Sequence, residues 1–279
     1  MNRNVRVIRP DDRLNESVFS AACQMFRELM RHHDHIAIAF KQDFRHLYHG
    51  AFFGVLWNIV LPLVPVLIYA LLSMHRVLPT FEGVDPATYV ALGATIWFLL
   101  AGCIQQPLRT VQARNAEVMK TALPLSAMVM SGFAQLLFDT LVRLGLVGIM
   151  MIATMTSPQW TILLAPIALV PAILLFLGLG LILGVANVIY SDVGRVTGVI
   201  LQYGIFVSGV IFPVASLPFS EILMWNPAYL FIEEVRTLCF RGFPESGWFL
   251  GGYALLGVGV FLLGCRIFYL MEYRVRGIG

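Results

Sequence analysis

Long apolar stretches separated by short polar loops dominate the pattern of this chain. The first runs from 51 to 74 without a charged side chain. A helix needs about 20 apolar residues to cross the ~30 Å hydrocarbon layer of a bilayer, so such stretches predict membrane spans. The predicted spans are 51–74, 87–108, 125–155, 161–189, 196–214 and 247–271. We therefore expect an all-α integral membrane protein with six transmembrane helices.

Residues 217–243, between the fifth and sixth predicted spans, are apolar and aromatic, but Pro218, Pro227 and several charged side chains interrupt them. A continuous span is not expected here, because proline breaks helices. Irregular backbone at membrane depth needs protein or water beside it. The pattern predicts a re-entrant pair of short helices.

Apolar residues also recur at helical spacing before the first span. They are Val18, Phe19, Ala22, Phe26, Leu29 and Met30, followed by Ile36, Phe40, Phe44 and Leu47. The opposite faces carry Arg27, Arg31, Lys41 and Arg45. This pattern is typical of a helix that lies in the headgroup plane and attracts anionic lipid; packing on a soluble partner is the alternative. The candidate interface-helix residues are Phe26, Phe40, Phe44 and Arg45.

Lysine and arginine are distributed unequally between alternating loops. The segment before 51 holds eight of them, the 109–124 loop three, the turn at Arg195 one and the tail from Arg266 three. The other loops hold only Arg76, Arg236 and Arg241. Cytoplasmic loops carry the excess of positive charge, so both termini are expected in the cytoplasm. The chain thus divides into a cytoplasmic N-terminal segment, 1–50, and a transmembrane domain, 51–279.

The composition narrows the class of protein further. The chain is 58% hydrophobic and 13% charged, which is outside the usual range of soluble domains. It lacks a GxxxxGKS or GxxxxGKT phosphate loop, an HExxH motif and a GxSxG elbow, so ATP hydrolysis and the common hydrolytic chemistries are not expected of it. The four cysteines are widely scattered. We therefore predict no catalytic residue, no metal site and no nucleic-acid partner.

Asp139 and Arg143 lie four residues apart in the third predicted span. This spacing places opposite charges on one helical face. Because buried charge is costly in lipid, the predicted intramembrane ion pair either locks helices together or lines a wet pathway.

Aromatic residues gather toward the predicted outer mouth. They are Tyr203, Phe206, Phe212, Trp225, Tyr229, Phe231, Phe240 and Phe243. Interfacial belts and core packing explain many such residues. The alternative is a ring-lined conduit, since the C–H faces of sugars stack on aromatic rings.

Four segments, read in order from 41 to 241, share a pattern with one family. The first is Gln42-Asp43-Phe44-Arg45 through Tyr48, then Gly54, Trp57 and Leu61-Pro62; the second is Gly93 to Trp97, then 114–120 and Leu123-Pro124. The third is 187–193, then Gln202, Ser208 and Phe212-Pro213; the fourth is Trp225-Asn226-Pro227 with Glu234 and Arg236. Together they resemble the ABC-2 type permeases that export polysaccharides. One departure is Gly209, which replaces the proline usual after the serine.

The resemblance implies a homodimer of six-span subunits, each paired with a separate ATPase chain that binds ATP and Mg²⁺, with no cofactor in this chain. A helix at about 112–121 would dock into the ATPase. The implied coupling-loop residues are Arg109, Arg114, Glu117 and Lys120. The implied pathway, at the dimer interface between first and fifth spans, would include Trp57, Tyr69, Tyr203, Phe206 and Phe212. The implied outer gate would include Trp225, Asn226, Tyr229, Glu234 and Arg236.

We therefore expect the permease of an ATP-driven exporter that moves lipid-linked polysaccharide, such as O-antigen, capsule or teichoic acid, across a bacterial inner membrane. An ABC-2 exporter of drugs or small lipids shares the fold and the coupling. An intramembrane glycosyl- or acyltransferase is the alternative from another class. It would need an acid–base constellation, for which Asp139 with Arg143 and Glu233 with Glu234 are the candidates.

Overall fold

The computed structural model describes residues 17–31, 84–113, 125–212, 220–243 and 247–276, with isolated positions between 33 and 75. The helices in these ranges are α1 Val18–Arg31, α2 Pro86–Ala113, α3 Leu125–Ala153, α4 Ala165–Ile189, α5 Asp192–Val207, α6 Ser220–Leu223, α7 Pro227–Phe240 and α8 Gly247–Arg276. A 3-10 turn, Trp160–Leu164, leads into α4. The all-helical fold class predicted from sequence is confirmed for the described residues.

Four helical segments in the described ranges are long and apolar enough to cross a membrane. They are Pro86–Gln112, Leu125–Ala153, Trp160–Ile189 and Gly251–Glu272. These segments correspond to the second, third, fourth and sixth predicted spans. The first predicted span, 51–74, lies outside the described residues apart from isolated positions. A total of six spans therefore stays a prediction.

The fifth predicted span differs from the structure. It was expected to continue to 214, whereas α5 has 16 residues and ends at Val207. The chain turns at Ser208 and Gly209, and Gly209 has a φ of +67°. Glycine adopts this left-handed conformation readily and proline cannot, which accounts for glycine at this position. The short helices α6 and α7 occupy the segment predicted to be re-entrant, and their depth in a membrane stays a prediction.

Helix α4 packs between α2 and α8 through very close backbone contacts. A Cβ at Gly178 would lie 2.6 Å from the Cα of Phe261 on α8. A Cβ at Gly180 would lie 2.6 Å from the Cys103 carbonyl oxygen on α2, a carbonyl that Pro107 cannot bond because it lacks an N–H. Small residues thus let the helices approach closely, which matters in lipid because the hydrophobic effect contributes little there.

Helix α1 rests on α8 beside the first turn of α3. Met25 of α1 is buried, and the Tyr269 hydroxyl of α8 donates a hydrogen bond to Gln24 Oε1. The Glu272 carboxylate of α8 accepts the Leu125 N–H at 2.7 Å, which caps the start of α3. The amphipathic helix therefore lies at the same end of the bundle as the start of α3 and the last turns of α8.

Candidate functional site

A cavity of about 840 Å³, here called the central cavity, opens between α2, α3 and α5. Helix α2 contributes Trp97, Phe98, Ala101, Gly102, Gln105, Gln106 and Arg109; α3 contributes Leu136, Asp139 and Arg143; α5 contributes Gly198, Leu201, Gln202, Tyr203, Ile205 and Phe206. The lining combines aromatic rings, side-chain amides and charged groups. The structure thus brings together both residues of the predicted ion pair, two predicted pathway residues and Arg109 of the predicted coupling loop.

The α2 residues of the central cavity recur every four positions, from Trp97 through Ala101 and Gln105 to Arg109. This spacing keeps them on one face of the helix. At 1.5 Å a residue they extend about 18 Å along the helix axis, over half of the ~30 Å hydrocarbon layer. At one end Arg109 Nη2 donates a hydrogen bond to Gln105 Oε1 at 2.9 Å. The cavity therefore runs along the span rather than across it.

Neutral groups hold the two charges in the middle of the central cavity. Gln135 Nε2 donates to Asp139 Oδ1 at 3.0 Å, and the Arg143 guanidinium carbon lies 4.8 Å from the centroid of the Phe98 ring. The Asp139 carboxylate and the Arg143 guanidinium lie more than 4.0 Å apart, so the expected ion pair does not form. The carboxylate bonds to the preceding turn of α3, whereas the guanidinium reaches across to α2. Both residues line the cavity with separate partners.

Aromatic rings line the central cavity where α2 meets α5. Trp97 is buried, and a Cβ at Gly204 would lie 2.6 Å from its ring, so the indole packs directly on the α5 backbone. Tyr203 and Phe206 are 59% and 48% exposed in the single chain. Their rings are therefore accessible to a bound molecule or to another protein chain.

The last turn of α2 touches the first turn of α5. Asn187 Oδ1 accepts the backbone N–H of Gly194 at 2.7 Å. A Cβ at Gly194 would lie 2.7 Å from Gln112 Nε2. Gln112 lies between the predicted coupling residues Arg109 and Arg114. A displacement of the coupling loop can therefore reach α5 through this contact.

Arg236 of the predicted outer gate is buried, with 2% exposure. Its Nη1 donates to the Gly209 carbonyl at 2.7 Å, and its Nη2 donates to the carbonyls of Val210 and Tyr89 at 2.8 and 3.1 Å. The guanidinium carbon lies 3.7 Å from the centroid of the Tyr89 ring. Gly93 leaves the necessary room, because a Cβ there would lie 2.1 Å from Nη2. Arg236 thus connects α7 to α2 and to the turn after α5.

Glu233 extends this cluster toward the surface. Its carboxylate accepts a hydrogen bond from the Tyr89 hydroxyl at 2.9 Å. It also lies 3.6 Å from guanidinium nitrogens of Arg236 and Arg241. Glu233 therefore pairs with the buried Arg236 and the exposed Arg241, which gives this carboxylate a structural role.

Asn226 makes a second connection between α7 and the end of α5. Its Oδ1 accepts the Ala228 N–H at 3.0 Å and so caps the start of α7. Its Nδ2 donates to Ser208 Oγ at 3.1 Å and to the Val207 carbonyl at 3.3 Å. Two predicted gate residues, Asn226 and Arg236, therefore fix the turn at which α5 ends.

The other predicted site residues are spread more widely. Trp225 and Phe212 are 63% and 39% exposed, while Tyr229 and Glu234 are half-buried on α7. Of the predicted interface-helix residues, Phe26 is exposed and Phe40 is half-buried. The predicted residues Trp57, Tyr69, Phe44, Arg45, Arg114, Glu117 and Lys120 lie outside the described residues.

Sequence reasoning missed Gln105 and Gln106 of the central cavity, and it noted Gln202 only as part of a sequence segment. Gln105 and Gln106 lie near the end of α2, and Gln202 faces them from α5 across the cavity. An uncharged polar side chain inside an apolar span is the signal that could have identified each of them, since such groups are costly in lipid unless they find polar partners. Trp97 was noted only as part of a sequence segment.

Known proteins resemble this chain over most of its length. The family model described as ABC-2 type transporter matches residues 34–240. The O-antigen export system permease protein RfbA of Myxococcus xanthus is 21% identical over 225 residues, covering 78% of this chain and 85% of that protein. The polysialic acid transport protein KpsM of Escherichia coli is 24% identical over 233 residues, covering 80% of this chain and 86% of that protein.

Proposed function

Because this chain belongs to the ABC-2 type transporter family, we propose that it is the permease of an exporter that moves lipid-linked polysaccharide across the bacterial inner membrane. Members of the family are transport subunits rather than enzymes, and they work with separate ATPase subunits. The alternative hypothesis of an intramembrane transferase is therefore rejected. The names of the two relatives support polysaccharide as the cargo.

The central cavity is the observation that carries this proposal. Tyr203 and Phe206 offer exposed ring faces on which sugar C–H groups stack. The neighbouring amides both donate and accept hydrogen bonds, as sugar hydroxyl groups do. Many weak contacts along the length of a span favour the passage of a polymer, because a transported species must leave each site as readily as it enters.

We place the translocation path between two copies of the chain. Tyr203 of the cavity lining is 59% exposed on α5, and Val199 and Ile200, which lie between the lining residues Gly198 and Leu201, are 55% and 63% exposed. A cavity that contains amides and charges cannot face hydrocarbon without a large desolvation cost. A second copy packed across α5 would close the cavity and leave a polar path between the subunits.

ATP hydrolysis in the partner chain would drive this path open. The ATPase holds ATP and Mg²⁺ and pushes on the loop that follows α2. The contact between Gln112 and the turn at Gly194 carries that displacement to α5. Both termini lie in the cytoplasm in this arrangement, so the polysaccharide leaves on the outer side with its lipid anchor in the bilayer.

Deleting the gene in its host tests the nature of the cargo. We expect loss of surface polysaccharide, accumulation of the polymer in the cytoplasm and unchanged drug susceptibility. Intact surface polymer together with new drug sensitivity would contradict the proposal and favour an exporter of drugs or small lipids.

A further inference from the structure

A second cavity, here called the interface cavity, lies beneath α1 and is enclosed by α1, α3, α4 and α8. Its volume is about 310 Å³, and eleven of its twelve lining residues are apolar, cysteine included. An apolar cavity of about 150 Å³ is enough to bind benzene. The interface cavity therefore has room for a longer hydrocarbon segment, and the apolar lining excludes a charged ligand.

Ser126 is the polar exception in this lining. Its side chain is buried, with 1% exposure, and within the described part of the chain its Oγ has no hydrogen-bond partner. A serine inside a helix usually bonds the carbonyl four residues earlier. Ser126 is the second residue of α3, so the helix offers no such carbonyl. The hydroxyl is therefore a buried donor that faces the cavity and has no acceptor among the residues that the structure describes.

The position of α1 fixes the depth of the interface cavity. Arg27 and Arg31 are exposed on one side of α1, while Phe19, Phe26 and Met30 are exposed on another. This arrangement is that of a helix at the boundary between headgroups and acyl chains. The cavity begins at Phe26 on α1 and continues past Ser126 to Phe133 in the third turn of α3. Its mouth is therefore at the level of the ester carbonyls of membrane phospholipids.

We propose that the interface cavity binds one acyl chain of a glycerophospholipid, whose ester carbonyl accepts a hydrogen bond from the Ser126 hydroxyl. The cavity supplies the apolar surface, and each methylene buried there strengthens binding about fourfold. Phe26, 64% exposed at the rim, borders the entrance from the bilayer. The bound chain fills the gap between α1 and α3 and so fastens the amphipathic helix to the bundle.

Photo-crosslinking locates the bound chain. The full protein, purified with its ATPase, is labelled with phosphatidylglycerol carrying a diazirine on one acyl chain, and the labelled residues are mapped by mass spectrometry. We expect labelling of Val129 and Met130 inside the cavity. Val129→Trp, which fills the cavity, should abolish that labelling, whereas Leu141→Trp on the 67% exposed face of α3 should not. Labelling confined to outward-facing residues would overturn the proposal.

A comparison of ester and ether lipids tests the role of Ser126 without altering the size of the cavity. Wild-type protein should retain ester-linked phosphatidylglycerol about fivefold better than its diether analogue, the ratio that a single net hydrogen bond supplies. Ser126→Ala should fold normally, because the hydroxyl it removes bonds no described residue, and should lose this preference. Equal retention of both lipids by wild-type protein, or an unchanged preference in Ser126→Ala, would overturn the proposal. So would recovery of a polyprenyl lipid instead of phospholipid from the cavity.

Discussion

Arg236 bonds a turn that lies 27 residues earlier in the chain, at Gly209, and it also bonds the backbone of α2. The last carbonyls of a helix and of the turn that follows have no donor within the helix. Each such carbonyl left buried and unpaired costs about 1–3 kcal/mol. One guanidinium satisfies two of them here, those of Gly209 and Val210, and it also donates to the Tyr89 carbonyl inside α2 while its face rests on the Tyr89 ring.

Replacing Arg236 with methionine should therefore destabilise the protein strongly. We expect the free energy of unfolding to fall by about 3 kcal/mol, because the carbonyls lose their donors and Glu233 loses its buried partner. Thermal unfolding followed by circular dichroism in detergent measures the effect. Arg241→Met is the matched control. Its guanidinium is 60% exposed and faces the same Glu233, so a change of under about 1 kcal/mol is expected. Equal effects of the two substitutions would contradict this account.

Substitution of Gly93 should also destabilise the protein, because Gly93 lies against the Arg236 guanidinium. A methyl group there collides with the Arg236 guanidinium, so Gly93→Ala should lower stability by about 1–3 kcal/mol. Gly145→Ala on α3 meets nothing within 4 Å and should leave stability unchanged or raise it slightly, since alanine favours helix. Gly93→Ala should therefore lower the unfolding midpoint, whereas Gly145→Ala should not. A neutral Gly93→Ala would show that the guanidinium does not occupy this position.

The sequence identified several of these residues but not their roles. Asn226, Ser208, Gly93 and Arg236 all belong to the segments that resemble other permeases, yet nothing in their spacing indicated that they meet at the end of α5. Gln105 and Gln106 of the central cavity escaped notice, because isolated amides produce no periodic pattern. Contacts between distant segments determine both roles.

At the scale of elements, the lengths of the apolar stretches predicted the long, unbroken helices. Helices α2, α3, α4 and α8 begin and end within a few residues of the predicted spans, because apolar length alone decides where such helices can lie. Helix α5 ends early because Gly209 turns the chain and Arg236 bonds the freed carbonyls. Hydropathy does not detect that turn, since the residues after it are apolar too.

The crossing of α4 and α8 gives the sharpest prediction at this scale. Gly178→Leu places a side chain against the backbone of Phe261, which cannot move aside as a flexible side chain can. We expect the substituted protein to unfold well below the wild-type temperature or to disappear from the membrane fraction. Gly148→Leu on α3, which faces open space, should accumulate normally. Normal accumulation and stability of Gly178→Leu would contradict the observed crossing.

At the scale of the whole molecule, the closely packed helices α2, α4 and α8 form a framework, and α5 lies beside it. Helices α2, α4 and α8 are tied together by backbone contacts, whereas α5 is fixed mainly at its two ends, by Asn187 and Gly194 at one end and by Asn226 and Arg236 near the other. Forces applied at either end would therefore move α5 relative to the framework. That movement changes the width of the central cavity, which is what the proposed export cycle requires.

Transport into inverted membrane vesicles tests the central claim most directly. Vesicles that contain this chain and its ATPase are given lipid-linked polysaccharide and ATP, and polymer protected from an added glycosidase is measured. We predict ATP-dependent protection of the polymer with wild-type protein and with the control Ile152→Ala. Ile152 is 80% exposed and does not line the central cavity. Tyr203→Ala should retain the folded complex and lose most of the protection. Polymer that remains fully degradable while wild-type vesicles hydrolyse ATP would contradict the account.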